Sequence, residues 1–519
     1  MKQNEPVSSA YQEPKLPPDT TGRRLTGDLA EDMVQIRAYC QNTNDLLERR
    51  IRVSGVEAAL LMCEGMVNTA VFIESMAEPL MALEIPDCTG PRLAQWVSEK
   101  AVFSGDQKEF FTYDELFRFM MAGFVILLID GVAHGVACGI QGFAYRSVSE
   151  PSGERNVHGS REGLVEAIRI NQAMIRRRIK SPTLKFEMLQ VGKKSRTDVF
   201  LVYLTDTAKP QMLQQLRRRL MQVGEDLVLG AGYLEPYLEG RPWSLFPSVG
   251  ITERPDTVCA KINEGRVAVL VDGVPFALVV PFLFHEHFQS MDDYVSRPYY
   301  AAFLRLLKYG AFLVSFLLPG LYVAMAVFHP EMIPDALLYN IVSSEQSTPF
   351  SMMTEALIIQ LIYEMMREAG LRLPQAVGHA VSIVGALVIG DAAVSAGLIG
   401  SPMVLIVALT AISAFVVPSL YEASAVLKFV FILAGGCWGL YGIAVVFIVV
   451  LGNLCALQSF GVPVTAPVSP FLREGMRDVF TREGWKKLAR YRLHVQNLPG
   501  SRLARKEGGV ARGDGNEGR

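Results

Sequence analysis

Few residues in this chain are of a type and spacing that could do chemistry. His285, Glu286 and His287 bring two imidazoles and a carboxylate together. Histidines at i, i+2 diverge on a helix, whereas zinc-type pairs sit at i, i+4 and need a third ligand, so no metal site is expected. The seven cysteines (Cys40, Cys63, Cys88, Cys138, Cys259, Cys437, Cys455) contain no Cys-x-x-Cys pair and suggest neither a zinc site nor a disulfide framework. There is no phosphate-cradling Gly-rich loop, no nucleophile elbow, no dinucleotide fingerprint and no Ser/His/Asp grouping. Neither enzymatic activity nor a cofactor is therefore expected.

What remains is electrostatic. Thr252, Glu253, Arg254, Pro255 and Asp256 form a compact charged turn, in which Pro255 fixes the chain and Arg254 can pair with an adjacent acid, which reads as a structural clamp. Arg176-Arg177-Arg178 and Arg217-Arg218-Arg219 each fall on a predicted helix; they suit either anionic lipid headgroups or a solvated face. Asp391 follows a glycine-bearing apolar stretch that includes Gly385 and Gly390. An ionisable group in such a run is a candidate for ion or solute passage, with a hydrogen bond to a neighbouring helix as the alternative, and the glycines permit close helix approach. Glu355 and Glu364 are weaker pore candidates, since acid rings repeated by oligomerisation select cations; an outward solvated surface is their alternative.

The elements that must position these residues are legible in the charge distribution. The chain has 519 residues, more than one core can organise, and a mean hydropathy of +0.25 with 50% hydrophobic residues. Its formal charge of −2 gives no bias toward nucleic acid. Only thirteen charged residues fall between residues 299 and 472, against 71 before them. The polar part reads as an α/β region of two similar subdomains, 28–150 and 151–298, behind a disordered tail 1–27. The frame Gly123 to Gly131 recurs at Gly265 to Gly273, each ending in a hairpin-forming Asp-Gly. The polar stretch from Ser147 to Gly163 reads as a linker.

Residues 299–470 read as an all-α, multi-span membrane domain with four or five crossings at about 309–328, 376–399, 403–418 and 429–451. Residues 354–369, apolar on one face, form an interfacial or re-entrant helix. Arg297, Arg305 and Lys308 before the first span, and the basic 471–519 tail, place both ends in the cytoplasm. That tail is expected to be partly disordered.

Several segments together resemble the A-subunits of spore germination receptors, the GerA family, over roughly residues 55 to 470. They are the run from Ser160 through Leu204, Thr252 to Asp256, Glu264 to Pro281, Asp292-Asp293-Tyr294, Arg367 to Pro374, Val381 to Ile399 and Ser459 to Pro463. The resemblance implies a protein of the spore inner membrane that works with a transporter-like B-subunit and a lipoprotein C-subunit. It implies self-association into a nutrient-gated ion channel in contact with membrane lipids. The chain departs from the family pattern at Asp391, where Gln is common, at Val464, where Tyr is common, and at Asn453, where His is common. A non-conducting scaffold, or an accessory sporulation paralogue, is the alternative reading.

Overall fold

The computed structural model describes residues 20–503, apart from 21, 42, 100–102, 143–150, 152, 155, 157–158, 242–243, 347, 373–391 and 489–493. Two five-stranded antiparallel sheets make up the first part. The first contains β1 (Leu46–Val53), β2 (Val56–Cys63), β3 (Gln107–Phe110), β4 (Val125–Ile129) and β5 (Gly135–Cys138), in the order β1-β2-β4-β5-β3. The second contains β6 (Leu184–Val191), β7 (Thr197–Leu204), β8 (Gly250–Thr252), β9 (Val267–Val271) and β10 (Ala277–Val280), in the order β6-β7-β9-β10-β8. Counted within each sheet, the two orders are the same.

The central strands are apolar throughout because both faces of each sheet are covered. Successive side chains on a strand point to opposite faces. Ala59, Leu61 and Cys63 of β2 accordingly enter a core with α1 (Leu29–Tyr39) and α3 (Tyr113–Met120). Ala58, Leu60 and Met62 enter another with α2 (Gly90–Glu99) and residues 69–81. The second sheet divides likewise, Val199, Leu201 and Tyr203 facing α5 (Pro210–Met221) while Phe200, Val202 and Leu204 face α4 (Ile168–Arg178) and α6 (Pro255–Asn263).

The repeated Asp-Gly does the same work twice. Gly131 and Gly273 take φ of +80° and +82°, as the hairpin turns require. Asp130 Oδ1 accepts from Leu29 N at the start of α1, and Asp272 Oδ1 from Ile168 N at the start of α4. Each turn glycine donates its N–H to the segment before that helix, Gly131 to Gly27 O and Gly273 to Glu166 O. The sequence echo is thus a duplicated hairpin that caps a duplicated helix.

The remaining helices are α7 (Met291–Val295), α8 (Pro298–Phe328), α9 (Asp335–Glu345), α10 (Met352–Arg372), α11 (Ser401–Ala414) and α12 (Tyr421–Ala456). Two apolar runs, Pro298–Phe328 and Pro418–Ala456, are long enough to cross a membrane. The first begins eleven residues before the span expected at 309, because Pro298 at the first helical position favours a start there. The amphipathic helix extends to 21 residues, and Ser401–Ala414, expected as a span to 418, stops at 14. Of the span expected at 376–399, residues 376–391 lie outside the described residues.

The run expected to cross once at 429–451 is broken at Gly439, with φ +60° and ψ −147°. A Cβ at Gly442 would collide with Ala434 O, although eight residues along a straight helix separate atoms by about 12 Å. The chain therefore doubles back at Gly439, and α12 is a helical hairpin. Its first arm packs on α8 backbone to backbone, since a Cβ on Gly320 would strike Phe431 O and one on Gly435 would strike Gly320 O. Phe328, the last residue of α8, lies beside the Gly439 turn.

Neither terminus is a loose tail over its described length. Leu25 is buried and its N–H donates to Phe111 O, which ties residues before 28 to the first sheet. At the other end, Phe460, Val462, Ala466, Val495, Leu498 and Leu503 lie in the same core as Val199 and Leu216 of the second sheet. The chain leaves that sheet through α7 and α8 and returns to it after α12.

Candidate functional site

The outgoing connection and the returning C-terminal segment converge on the base of α8. Arg305, about two turns above Pro298, is fully buried. Its Nε donates to Asp293 Oδ2 of α7 at 2.8 Å, and its Nη1 donates to Asp478 Oδ1 and O at 2.9 and 2.7 Å. One guanidinium thus joins the outgoing connection, the first long helix and the returning C-terminal segment. Tyr294 OH donates to Asp478 Oδ2, Arg482 donates to Tyr294 O and Ser296 O, and Trp485 Nε1 donates to Tyr294 O. Asp293 also receives Lys308 at 3.6 Å, so its buried charge is compensated by two cations. Stacked rings extend the contact, with Phe288 on Tyr309 at 3.9 Å and Tyr309 against Phe480 at 4.9 Å.

A second buried network lies beside it. Glu286 accepts from Lys261 Nζ at 2.6 Å and pairs with Arg266, which also holds Glu264. Burial alone would raise the Glu286 carboxyl, but Arg266 and Lys261 outweigh it and hold it down to about 2. Burial pushes His285 down to about 3 and His287 to about 4, so both are neutral; His287 Nδ1 lies 2.9 Å from Ser419 Oγ, just before α12. Glu286 and His287 thus tie neighbouring segments together, and no cluster of three metal-binding side chains occurs among the described residues. The C-terminal segment reaches this network too: Val495 N donates to Glu264 O, Gln496 Oε1 accepts from Lys209 N, and Gln496 Nε2 donates to Gly265 O.

The charged turn is a clamp on the linker. Arg254, 2% exposed, pairs with Asp256 at 2.6 Å and donates to Glu154 O and Ser160 O. Thr252 Oγ1 donates to Glu154 Oε2, and Glu253 Oε2 accepts from Gly153 N. Pro255 opens α6 from this turn.

The two arginine clusters are, with one exception, neither lipid sites nor a solvated face. Arg176 is buried against Asp45 of the first sheet's side at 2.6 Å, and Arg177 and Arg178 share Glu162. Arg217 pairs with Glu187 at 2.6 Å, and Arg219 donates to Leu238 O and lies over the Phe460 ring; Arg218 is exposed. Nothing in three consecutive arginines announces this, because the partners are up to 131 positions distant.

Among the helices, neither glutamate singled out as a pore candidate faces solvent. Glu355 is fully buried and accepts from Gly400 N at 2.6 Å, which caps the entry to α11. Glu364 pairs with Lys428 and accepts from Tyr421 OH, tying α10 to the first arm of α12. Asp391, Gly385 and Gly390 lie outside the described residues.

Comparison with known proteins decides what this architecture belongs to. The model of the Bacillus/Clostridium GerA spore germination protein family matches residues 34–493. The chain belongs to the GerA family. It is 38% identical to spore germination protein KA of Bacillus subtilis (strain 168), over 89% of this chain and 85% of that one. It is 34% identical to spore germination protein GerLA of Bacillus cereus, over 88% and 94%. An uncharacterized membrane protein of B. subtilis, YfkQ, is 37% identical over 91% and 92%. Half of the chain aligns with 97% of a crystal structure of the N-terminal domain of the A subunit of the Bacillus megaterium spore germinant receptor GerK3, at 28% identity and a TM-score of 0.41.

Asn453 and Val464 of this GerA-family chain sit where the helices meet the sheets. Asn453, near the end of α12, accepts from Ser244 Oγ at 3.3 Å. Val464 is buried, and its carbonyl accepts from Phe284 N beside the Glu286 network.

Proposed function

We propose that this chain is the A-subunit of a nutrient germinant receptor in the spore membrane, and that it acts as an oligomeric gated ion channel. In this reading both ends face the cytoplasm, and the helices from α8 to α12 cross the membrane several times. The observation that carries it is the double connection at Arg305: the segment that enters the helices and the C-terminal segment that follows them are held by one buried ion-pair cluster. A displacement of the second sheet would move α8 and the C-terminal segment together, because separating them strands a buried charge. Aromatic residues support the placement, with Tyr299 and Tyr300 exposed at the base of α8 and Trp438 and Tyr441 exposed at the Gly439 turn.

The transporter-like B-subunit and lipoprotein C-subunit are the partners. A nutrient signal from them shifts a closed assembly toward an open one only by binding the two states with different affinity. Asp391, with Gly385 and Gly390, is assigned to the conduction path, and Glu355 and Glu364 tie α10 to α11 and α12.

Ion flux through the purified chain in liposomes, alone and with both partner subunits, tests this. Flux that falls severalfold in Asp391→Ala while the oligomer stays intact is the expected result. Wild-type oligomers that conduct nothing in either setting would leave the non-conducting scaffold as the function.

A further inference from the structure

We infer that the base of α8 and the C-terminal segment from residue 471 to 487 form a collar that binds the headgroups of anionic phospholipids. This rests on the membrane reading above. The segment lies against the first turns of α8, held by Arg482 and Trp485 on the backbone of residues 294 and 296 and by Phe480 on the Tyr309 ring. On that base the large apolar side chains face outward: Tyr299 is 71% exposed, Phe303 60%, Phe471 69% and Trp485 61%.

Cations are interleaved with them. Arg297, Arg473 and Lys486 are exposed and have no carboxylate within ion-pair distance among the described residues. Arg477 and Lys487 approach Glu483 only to 3.9 and 3.8 Å, and Lys487 is 72% exposed. The arginine clusters of the sheets, five of whose six members are engaged by carboxylates or carbonyls, offer nothing comparable. Aromatic rings at a membrane interface with unpaired Lys and Arg beside them suit phosphate groups and the acyl boundary together.

Spacing agrees. From Tyr299 to Phe328, which touches the Gly439 turn with its exposed Trp438 and Tyr441, α8 rises about 44 Å, close to the thickness of a bilayer with its headgroups. The collar and the turn therefore fall at opposite interfaces. The occupant the charge selects is an acidic phospholipid in the leaflet facing the sheets.

The test uses the full chain in nanodiscs of phosphatidylcholine with a fixed fraction of phosphatidylglycerol. Either lipid is brominated in turn, and tryptophan quenching is read in wild type and Trp485→Phe. The Trp485 contribution should be quenched severalfold more by brominated phosphatidylglycerol than by brominated phosphatidylcholine. The triple variant Arg473→Gln, Lys486→Gln, Lys487→Gln should lose the preference, so that the two brominated lipids quench Trp485 alike. Equal quenching by the two lipids at Trp485, or a preference unchanged in the triple variant, overturns the collar while quenching at Trp438 persists. Absence of quenching at Trp438 by any brominated lipid overturns the membrane reading and the collar with it.

Discussion

The two sheets have one strand order and one capped hairpin, yet they differ in what reaches them. The first is contacted from outside itself chiefly by the second, through Arg176 on Asp45, Lys185 Nζ on Tyr39 O and Asn44 N on Phe186 O. Its other ion pairs, such as Arg37 with Glu48 and Arg52 with Glu57, are exposed and contribute little. The second sheet takes the linker on Arg254, the C-terminal segment in its core and the base of α8 through α7. The same strand order thus occurs twice, while among the described residues the helices attach mainly to the second sheet. The first sheet is the outlying member, joined among the described residues to the second sheet by Arg176, Lys185 and Asn44.

The largest effect should come from cutting that attachment. Arg305→Met leaves the fully buried Asp293 with Lys308 alone at 3.6 Å and should destabilise the junction by about 3 kcal/mol, whereas Arg305→Met with Asp293→Leu should recover part of the loss. Thermal unfolding in detergent, with limited proteolysis around residues 291–309, reads both. A single variant as stable as wild type would mean that the sheets and the helices are coupled elsewhere.

Acid should separate the two copies next, because His285, Glu286 and His287 all sit on the second. His285 and His287 are held at about 3 and 4, below the 6.5 of an unfolded histidine, so on acidification the unfolded chain binds these protons first. The stability they contribute is present above about pH 6.5 and is lost as the pH falls toward 4, at up to about 1.4 kcal/mol per pH unit for each histidine. Glu286, held at about 2 against an ordinary 4.5, adds a loss in the same direction below pH 4.5. Unfolding of His285→Gln followed from pH 7 to 4 should show a shallower slope than wild type; parallel slopes would mean that His285 takes up its proton in the folded state.

These networks mark the limit of what the sequence reveals. The hairpin repeat is legible because an Asp-Gly with a left-handed glycine has few other uses, and the sparse charge after residue 298 marks the helical region at once. Arg176 is not legible: its cation is neutralised by Asp45, which no local pattern connects to it. The C-terminal segment reads as a tail because its packing residues, among them Val479, Val495, Leu498 and Leu503, are scattered among basic and polar ones. The uncharged run 429–451 reads as a single crossing; the positive φ at Gly439 makes it a hairpin. Glu355 and Glu364 read as free acids because Gly400 N and Lys428 are distant in the chain.

The smallest effect asks whether the copies remain equivalent where nothing else touches them. Asp130 and Asp272 make the same hydrogen bond, to Leu29 N at 3.1 Å and to Ile168 N at 3.2 Å, each at the first residue of a helix that lacks a partner for that N–H. Replacing either with Ala removes one cap and should cost about 1 kcal/mol. Equal costs in the two variants, measured as the loss of amide-exchange protection in α1 and α4, would show that the asymmetry between the sheets begins beyond the duplicated unit. A clearly larger cost for Asp272→Ala would mean that the attached helices already load the second hairpin, since α4 also carries Arg176, and loosening it would draw on the contact with the first sheet as well.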